Sequence, residues 1–170
     1  MSKPTFIING VAQSGKDTFV NFFRLSYFVE NYSTIDDIKK WAVFIGYNFT
    51  KTDKDRKLLS ELKRIANEYI DYSFNELKAV IDKFEKNDYR EILFIHIREV
   101  DEIKRVKEVY PYIKTILIKN DRVPIPDNES DQQVFNYDYD YIIENNSTLK
   151  DLEKKVKEFI KEIKWWYLMN

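Results

Sequence analysis

Gly10-Val11-Ala12-Gln13-Ser14-Gly15-Lys16-Asp17-Thr18 is the stretch that decides how the rest of the chain reads. It satisfies the spacing GxxxxGK. Before it, Thr5 to Asn9 (TFIIN) is a short apolar, β-branched run of the kind buried in a parallel sheet. After it, Phe19, Val20, Phe22, Phe23 and Tyr27 recur at the spacing of one wide helical face. Strand, glycine loop and helix in that order are the context in which this spacing builds a phosphate cradle. Glycines allow successive backbone N–H groups to converge without a Cβ in the way. The helix N-terminus adds partial positive charge at the same place. Gly10, Ala12, Gln13, Ser14 and Gly15 would supply the loop, Lys16 a full charge toward the β- and γ-phosphates, and Thr18 a hydroxyl toward the α-phosphate. Glycine is otherwise scarce. An average chain of this length carries roughly a dozen, whereas this one has 3, Gly10, Gly15 and Gly46.

The residue after the lysine departs from the common Ser or Thr. Asp17 stands there instead, and a carboxylate is a hard oxygen ligand suited to Mg²⁺, directly or through water. The exchange argues against GTPase-like and motor-like branches of this architecture.

Outward from the loop, strands alternate with helices. Phe28 to Tyr32, Glu91 to Ile97, Lys114 to Ile118 and Tyr139 to Ile143 read as further strands. A helix is expected from Ser33 or Thr34, as cap, to Phe44 or Ile45, with Gly46 as its stop. Leu58, Leu59, Leu62, Ile65, Ala66 and Tyr69 mark another helical face. Leu77, Val80, Ile81 and Phe84 mark a helix restarted at Asp71 or Ser73. Val100 to Tyr110 and a stretch from about Leu149 complete the set. The pattern predicts an α/β fold of the P-loop NTPase type, three layers α/β/α around a mostly parallel five-stranded sheet. One domain over 1–170 is expected, with a lid region around 119–131.

Composition narrows the function. A formal net charge of −1 gives no electrostatic footprint for nucleic acid. With 0 cysteines there is no disulfide framework, thiolate metal site or cysteine nucleophile. No apolar run approaches the length of a membrane span, and the N-terminus lacks the pattern of a signal peptide, so a cytoplasmic protein is expected.

The GKDT variant resembles that of the deoxynucleoside monophosphate kinase family, phage and bacterial, and of the related animal-type phosphomevalonate kinases. Three other stretches add to the resemblance. Ile95-His96-Ile97-Arg98-Glu99-Val100 with Glu102 is similar to the family segment that closes a central strand. Arg56 to Lys63 resembles its substrate-side helix, and Asn136 to Asn146 its closing strand and turn, D-Y-x-I-x-N. The resemblance implies transfer of the γ-phosphoryl group from ATP with Mg²⁺ to a small phosphorylated acceptor, a nucleoside monophosphate first among them. The family pattern has aspartate where His96 stands, and its members bring more arginines to the lid than Arg122.

Individual residues are then assigned expectations. Lys16, Arg98 and Arg122 are candidate catalytic groups. Arg56, Lys63 and Arg98 are candidate acceptor ligands, because cations match phosphate oxygens. Asp17 is the candidate metal ligand. For Arg56 and Lys63 the competing reading is a solvated charged face. His96, the 1 histidine of the chain, reads either as a hydrogen-bonded core residue or as a functional one. Tyr137, Tyr139 and Tyr141 alternate at strand period. Trp165 and Trp166 read as a hydrophobic seal, with a homodimer contact as the alternative.

Overall fold

A parallel sheet lies at the centre, and its strand order explains where ligands can bind. The computed structural model describes residues 2–50, 52–124 and 132–169, the side chains of 165–169 excepted. The strands are β1 (Thr5–Asn9), β2 (Val29–Ser33), β3 (Ile92–His96), β4 (Lys114–Lys119) and β5 (Tyr141–Glu144). They pair in the order β2-β3-β1-β4-β5, every pair parallel. β1 is therefore central: the chain passes from it to the edge strand β2, returns inward through β3, and crosses to β4 and then β5 on the other side. A crevice at the carboxyl ends of such strands is the usual ligand site of open α/β sheets.

The helices are α1 (Lys16–Phe23), α2 (Asp36–Val43), α3 (Asp53–Ile70), α4 (Tyr72–Glu85), α5 (Val100–Val109) and α6 (Leu149–Met169). Alternation along the strands sorts them onto two faces. Phe6 and Ile8 of β1 and Phe94 of β3 point to the face covered by α1 and α6, where they meet Phe19, Phe23 and Phe159. Ile7, Leu93 and Ile95 point to the face covered by α4 and α5. The first face is a cluster of aromatic rings: Phe23 and Phe94 have centroids 5.0 Å apart and meet edge to face. Each such ring contributes about 2–3 kcal/mol by leaving water. A separate, smaller core joins α2 and α3 through Ile38, Ala42, Tyr47 and Leu59.

Several expectations shift in detail. Ser33 and Thr34 do not cap α2: β2 runs through Ser33, and Ile35 precedes the helix with no side-chain cap. The helix tightens after Val43 into i→i+3 turns, with Gly46 reached at φ +94°. α3 begins earlier than its apolar spacing suggests. Thr52 and Asp55 form a reciprocal capping box that recruits the polar stretch before Leu58. Ile65 and Tyr69, counted as part of that helix's apolar face, are exposed. The three tyrosines do not share a strand face. β5 starts only at Tyr141, which packs on Phe159, while Tyr137 and Tyr139 turn to the opposite face. The expected roles of Trp165 and Trp166 lie outside the described side chains. The lid region beyond Pro124 lies outside the described residues up to 131.

Candidate functional site

The loop from Gly10 to Gly15 leaves the carboxyl end of the central strand and enters α1. Its backbone takes conformations that side chains resist: φ is +146° at Gly10, +64° at Gln13 and +103° at Gly15. At Gly10 a Cβ would stand 2.5 Å from the Ile118 carbonyl oxygen and 2.6 Å from Ser14 Oγ. Gly10→Ala is expected to lower stability by about 2 kcal/mol or more, through strain and overpacking together. Urea unfolding of the variant checks this, and nucleotide affinity should fall with it.

The entry to the loop is held by a polar network buried among apolar neighbours. Asn9, 1% exposed, accepts the Gly10 N–H at 2.8 Å. Its Nδ2 donates to the Tyr139 hydroxyl at 2.8 Å and to the Arg98 carbonyl at 3.1 Å. Tyr139 in turn donates to the Val134 carbonyl at 2.8 Å. Burial is the main reason that the Tyr139 hydroxyl is pushed up to about 12, so it acts as a neutral donor throughout the physiological range. Asn9 thus ties the strand end, the β3–α5 connection and the approach to β5 into one unit.

Lys16 folds back over the loop and donates to the carbonyls of Gly10 at 2.5 Å and Val11 at 2.8 Å. Asp17 is exposed in the first turn of α1, and Thr18 is half-buried beside it. A cleft of about 210 Å³ lies against Gln13, Gly15, Lys16, Asp17 and Thr18. Inward-turned backbone, an ammonium and a helix N-terminus on one concavity fit a polyphosphate. The carboxylate and hydroxyl beside them fit Mg²⁺, which takes oxygen ligands and is usually held by only one or two protein groups plus phosphate oxygens. Among the described residues, no larger group of His, Asp and Glu is gathered to hold a metal. A wider, open hollow of about 650 Å³ adjoins Ala79, Asp82, Lys86 and Tyr89. It sits where the chain enters β3, at the opposite end of the sheet, and brings no comparable chemistry.

The remaining expected residues divide. The backbone of Arg98 is held beside the loop by Asn9, and its side chain is exposed. Arg122 lies beside the loop through a different contact: its Nη2 donates to the Asn145 carbonyl at 3.1 Å. Arg56 sits in the first turn of α3, exposed and paired with Asp53 at 3.1 Å. Lys63 differs from the acceptor ligand expected of it. Its ammonium, on a side chain only 12% exposed, donates to Glu99 at 3.0 Å, Glu102 at 2.9 Å and Thr34 Oγ1 at 3.2 Å. An ammonium has three donors, and all are used. Burial opposes the charge on Lys63, but Glu102 and Glu99 outweigh it and hold the pKa above the ordinary lysine value. Burial pushes Glu102 up, with only partial relief from Lys63, while Glu99 is held low by Lys63 in spite of its own burial. One cation serves two acids and clamps α3 to the carboxyl ends of β2 and β3.

His96 closes β3 with Nε2 2.8 Å from Asn31 Oδ1. Desolvation lowers its pKa to about 4; Asp17 and Asp36 oppose that shift, and Lys16 and Lys39 add to it. The ring is therefore neutral at pH 7, with its proton on Nε2 in this pairing. Between the ordinary 6.5 and about 4 the unfolded chain binds the more protons, so stability falls as pH drops through that window. The loss attributable to His96 is expected to be roughly 1–2 kcal/mol, discounted for its partial exposure. Urea titrations of His96→Asn should show that part of the acid slope removed.

A five-stranded parallel sheet with a glycine loop after its central strand and helices on both faces is a three-layer α/β/α fold of the P-loop type. Solved structures share this fold. The chain is similar to TT1252 from Thermus thermophilus, at 17% identity over 95% of this chain and 98% of that one, with a TM-score of 0.53. It is similar to dephospho-CoA kinase from Campylobacter jejuni, at 17% identity over 95% and 97% of the two chains, with a TM-score of 0.53. It is also similar to shikimate kinase from Aquifex aeolicus, at 15% identity over 98% and 99%, with a TM-score of 0.51. No protein-family model matches the chain, and no curated protein matches its sequence. Among the described residues, no helix is long and apolar enough to cross a membrane.

Asn9, Tyr139 and Asn145 are the site residues that sequence reasoning passed over. Asn145 stood in a quoted motif without a role. Asn9 was read only as the end of a strand, although a buried amide directly before a glycine loop is a signal that its hydrogen bonds must be found there.

Proposed function

We propose that this chain is an ATP-dependent phosphotransferase that acts on a small phosphorylated acceptor, a nucleoside or deoxynucleoside monophosphate before others. The observation that carries the reading is the loop itself: Gly10, Gln13 and Gly15 at positive φ, with Lys16 poised over the carbonyls of Gly10 and Val11 at the carboxyl end of the central strand. In this reading the backbone of Gly10, Ala12, Gln13, Ser14 and Gly15 cradles the triphosphate of ATP. Lys16 exchanges its loop carbonyls for phosphate oxygens and offsets charge that builds during transfer. Thr18 would anchor the α-phosphate, and Asp17 would hold Mg²⁺, directly or through water. When bound, that ion supplies charge neutralisation across the phosphate oxygens.

Arg98 extends from the strand end beside the loop toward acceptor and transferred phosphates, and Arg56 and Arg122 supply further positive charge. Lys63 serves the acceptor side through its clamp on Glu99 and Glu102. A monophosphate is already an anionic nucleophile, so rate comes from positioning and charge stabilisation without a general base. The choice of nucleotide rests on the GKDT loop and on the segments resembling monophosphate kinases. A different phosphorylated metabolite is the same-class alternative. A nucleotide-binding protein without transfer activity is favoured by one observation, the neutral His96 where that family has a carboxylate.

Incubation with ATP labelled at the γ-phosphate tests the proposal. Label should appear in a nucleoside diphosphate made from one or more added monophosphates. Tight ATP binding with no labelled product from any monophosphate would refute that acceptor class.

A further inference from the structure

The glycines that shape the phosphate loop also make it easy to deform. A peptide unit preceding glycine flips at little steric cost, because the residue after it accepts either sign of φ. A flipped Ser14–Gly15 peptide would present a carbonyl to the phosphates in place of an N–H. Something outside the loop has to hold it.

Asn145 is placed to do so. It is the first residue after β5, and its backbone N–H donates to the Lys119 carbonyl at 2.7 Å, extending the β4–β5 pairing by one step. Its own carbonyl accepts Arg122 Nη2 at 3.1 Å. With its backbone fixed at both ends, its side-chain Nδ2 donates to the Ser14 carbonyl at 2.9 Å. The same amide occupies the space that a Cβ on Gly15 would need. A planar trans peptide sets its C=O and the following N–H in opposite directions. Pinning the Ser14 carbonyl outward on Asn145 therefore turns the Gly15 N–H toward the concave side, between Gln13 at φ +64° and Gly15 at φ +103°.

We infer that Asn145 is a positioning residue for the phosphate site, fixing the Ser14–Gly15 peptide in its anion-binding orientation, with Arg122 bracing Asn145 in turn. This rests on the reading of the loop as the ATP site. It makes the amide N–H₂, as a donor, the operative group, and that separates it from mere packing.

The test is Mg·ATP affinity of wild type, Asn145→Ala and Asn145→Asp by titration calorimetry at pH 7.5 and pH 5.5, with far-UV circular dichroism to establish folding. At pH 7.5 both variants should bind about ten-fold more weakly than wild type, as expected for losing one hydrogen bond that orders a binding loop. At pH 5.5 Asn145→Asp should recover most of the deficit relative to wild type at that pH. A half-buried carboxyl facing the Ser14 carbonyl protonates early, burial and the carbonyl outweighing the Arg122 guanidinium on the other side, and becomes a donor again. Asn145→Ala should not recover. Wild-type affinity in both variants would overturn the inference while leaving the ATP site standing, as would an Asn145→Asp deficit that does not depend on pH. Absence of ATP binding by the wild type would overturn both.

Discussion

Lys16→Ala is expected to bind Mg·ATP weakly and to lower phosphoryl transfer by roughly 10²–10³-fold, the scale seen when one preorganised electrostatic group is removed from an active site. The structure gives the reason. Lys16 is the ammonium that the loop gathers over its own carbonyls, at 2.5 and 2.8 Å from Gly10 and Val11. Nothing else in the loop carries full positive charge, and the backbone N–H groups alone supply partial charges. The fold should be left intact, because the side chain is only partly buried and the two hydrogen bonds it makes to Gly10 and Val11 are both within the loop. Single-turnover kinetics beside thermal melts check both halves. A variant that retains wild-type transfer would remove Lys16 from the site.

The second large effect concerns stability. Lys63→Met is expected to cost about 3 kcal/mol, the lower end of the range for a broken buried ion pair, because one partner, Glu99, is 45% exposed. The damage should centre on Glu102, whose side chain is 13% exposed and would be left as a buried carboxylate without its cation. Its pKa, raised already by burial, would rise further. The folded variant would then bind more protons than the unfolded chain, so its stability should improve relative to wild type as pH falls from 7 toward about 5. Lys63→Met with Glu102→Gln should recover most of the loss at pH 7. Urea unfolding of the two variants at both pH values decides it. An unchanged midpoint in Lys63→Met would mean that the clamp between α3 and the strand ends contributes nothing.

What could be read ahead of the structure follows from the range of the interactions. The strand–loop–helix unit around Gly10 to Gly15 was legible because its determinants are contiguous: an apolar strand, two glycines five positions apart, a lysine and a helical face. β1, β3 and β4 were legible for the same reason, each being a short apolar run, whereas β2 (VENYS) carries polar residues and rests on its pairing with β3. α2 lost its expected cap because pairing with β3 claimed Ser33 for the sheet, a contact invisible in local sequence. Lys63 was indistinguishable from the other cations of its helix, since its partners stand 36 and 39 positions away. Asn9 and Tyr139 are 130 apart, and Ser14 and Asn145 are 131 apart. Those pairs exist only once the sheet has set β1 beside β4 and β4 beside β5. Local pattern marks the glycine loop, and tertiary contacts decide how its polar groups are held.

The central claim is tested most directly by ADP release from Mg·ATP, measured with and without each common ribo- and deoxyribonucleoside monophosphate, with Lys16→Ala in parallel. The expected result is release stimulated by at least one monophosphate and lost in Lys16→Ala. ATP binding without stimulation by any of them would contradict the assignment of a nucleotide acceptor.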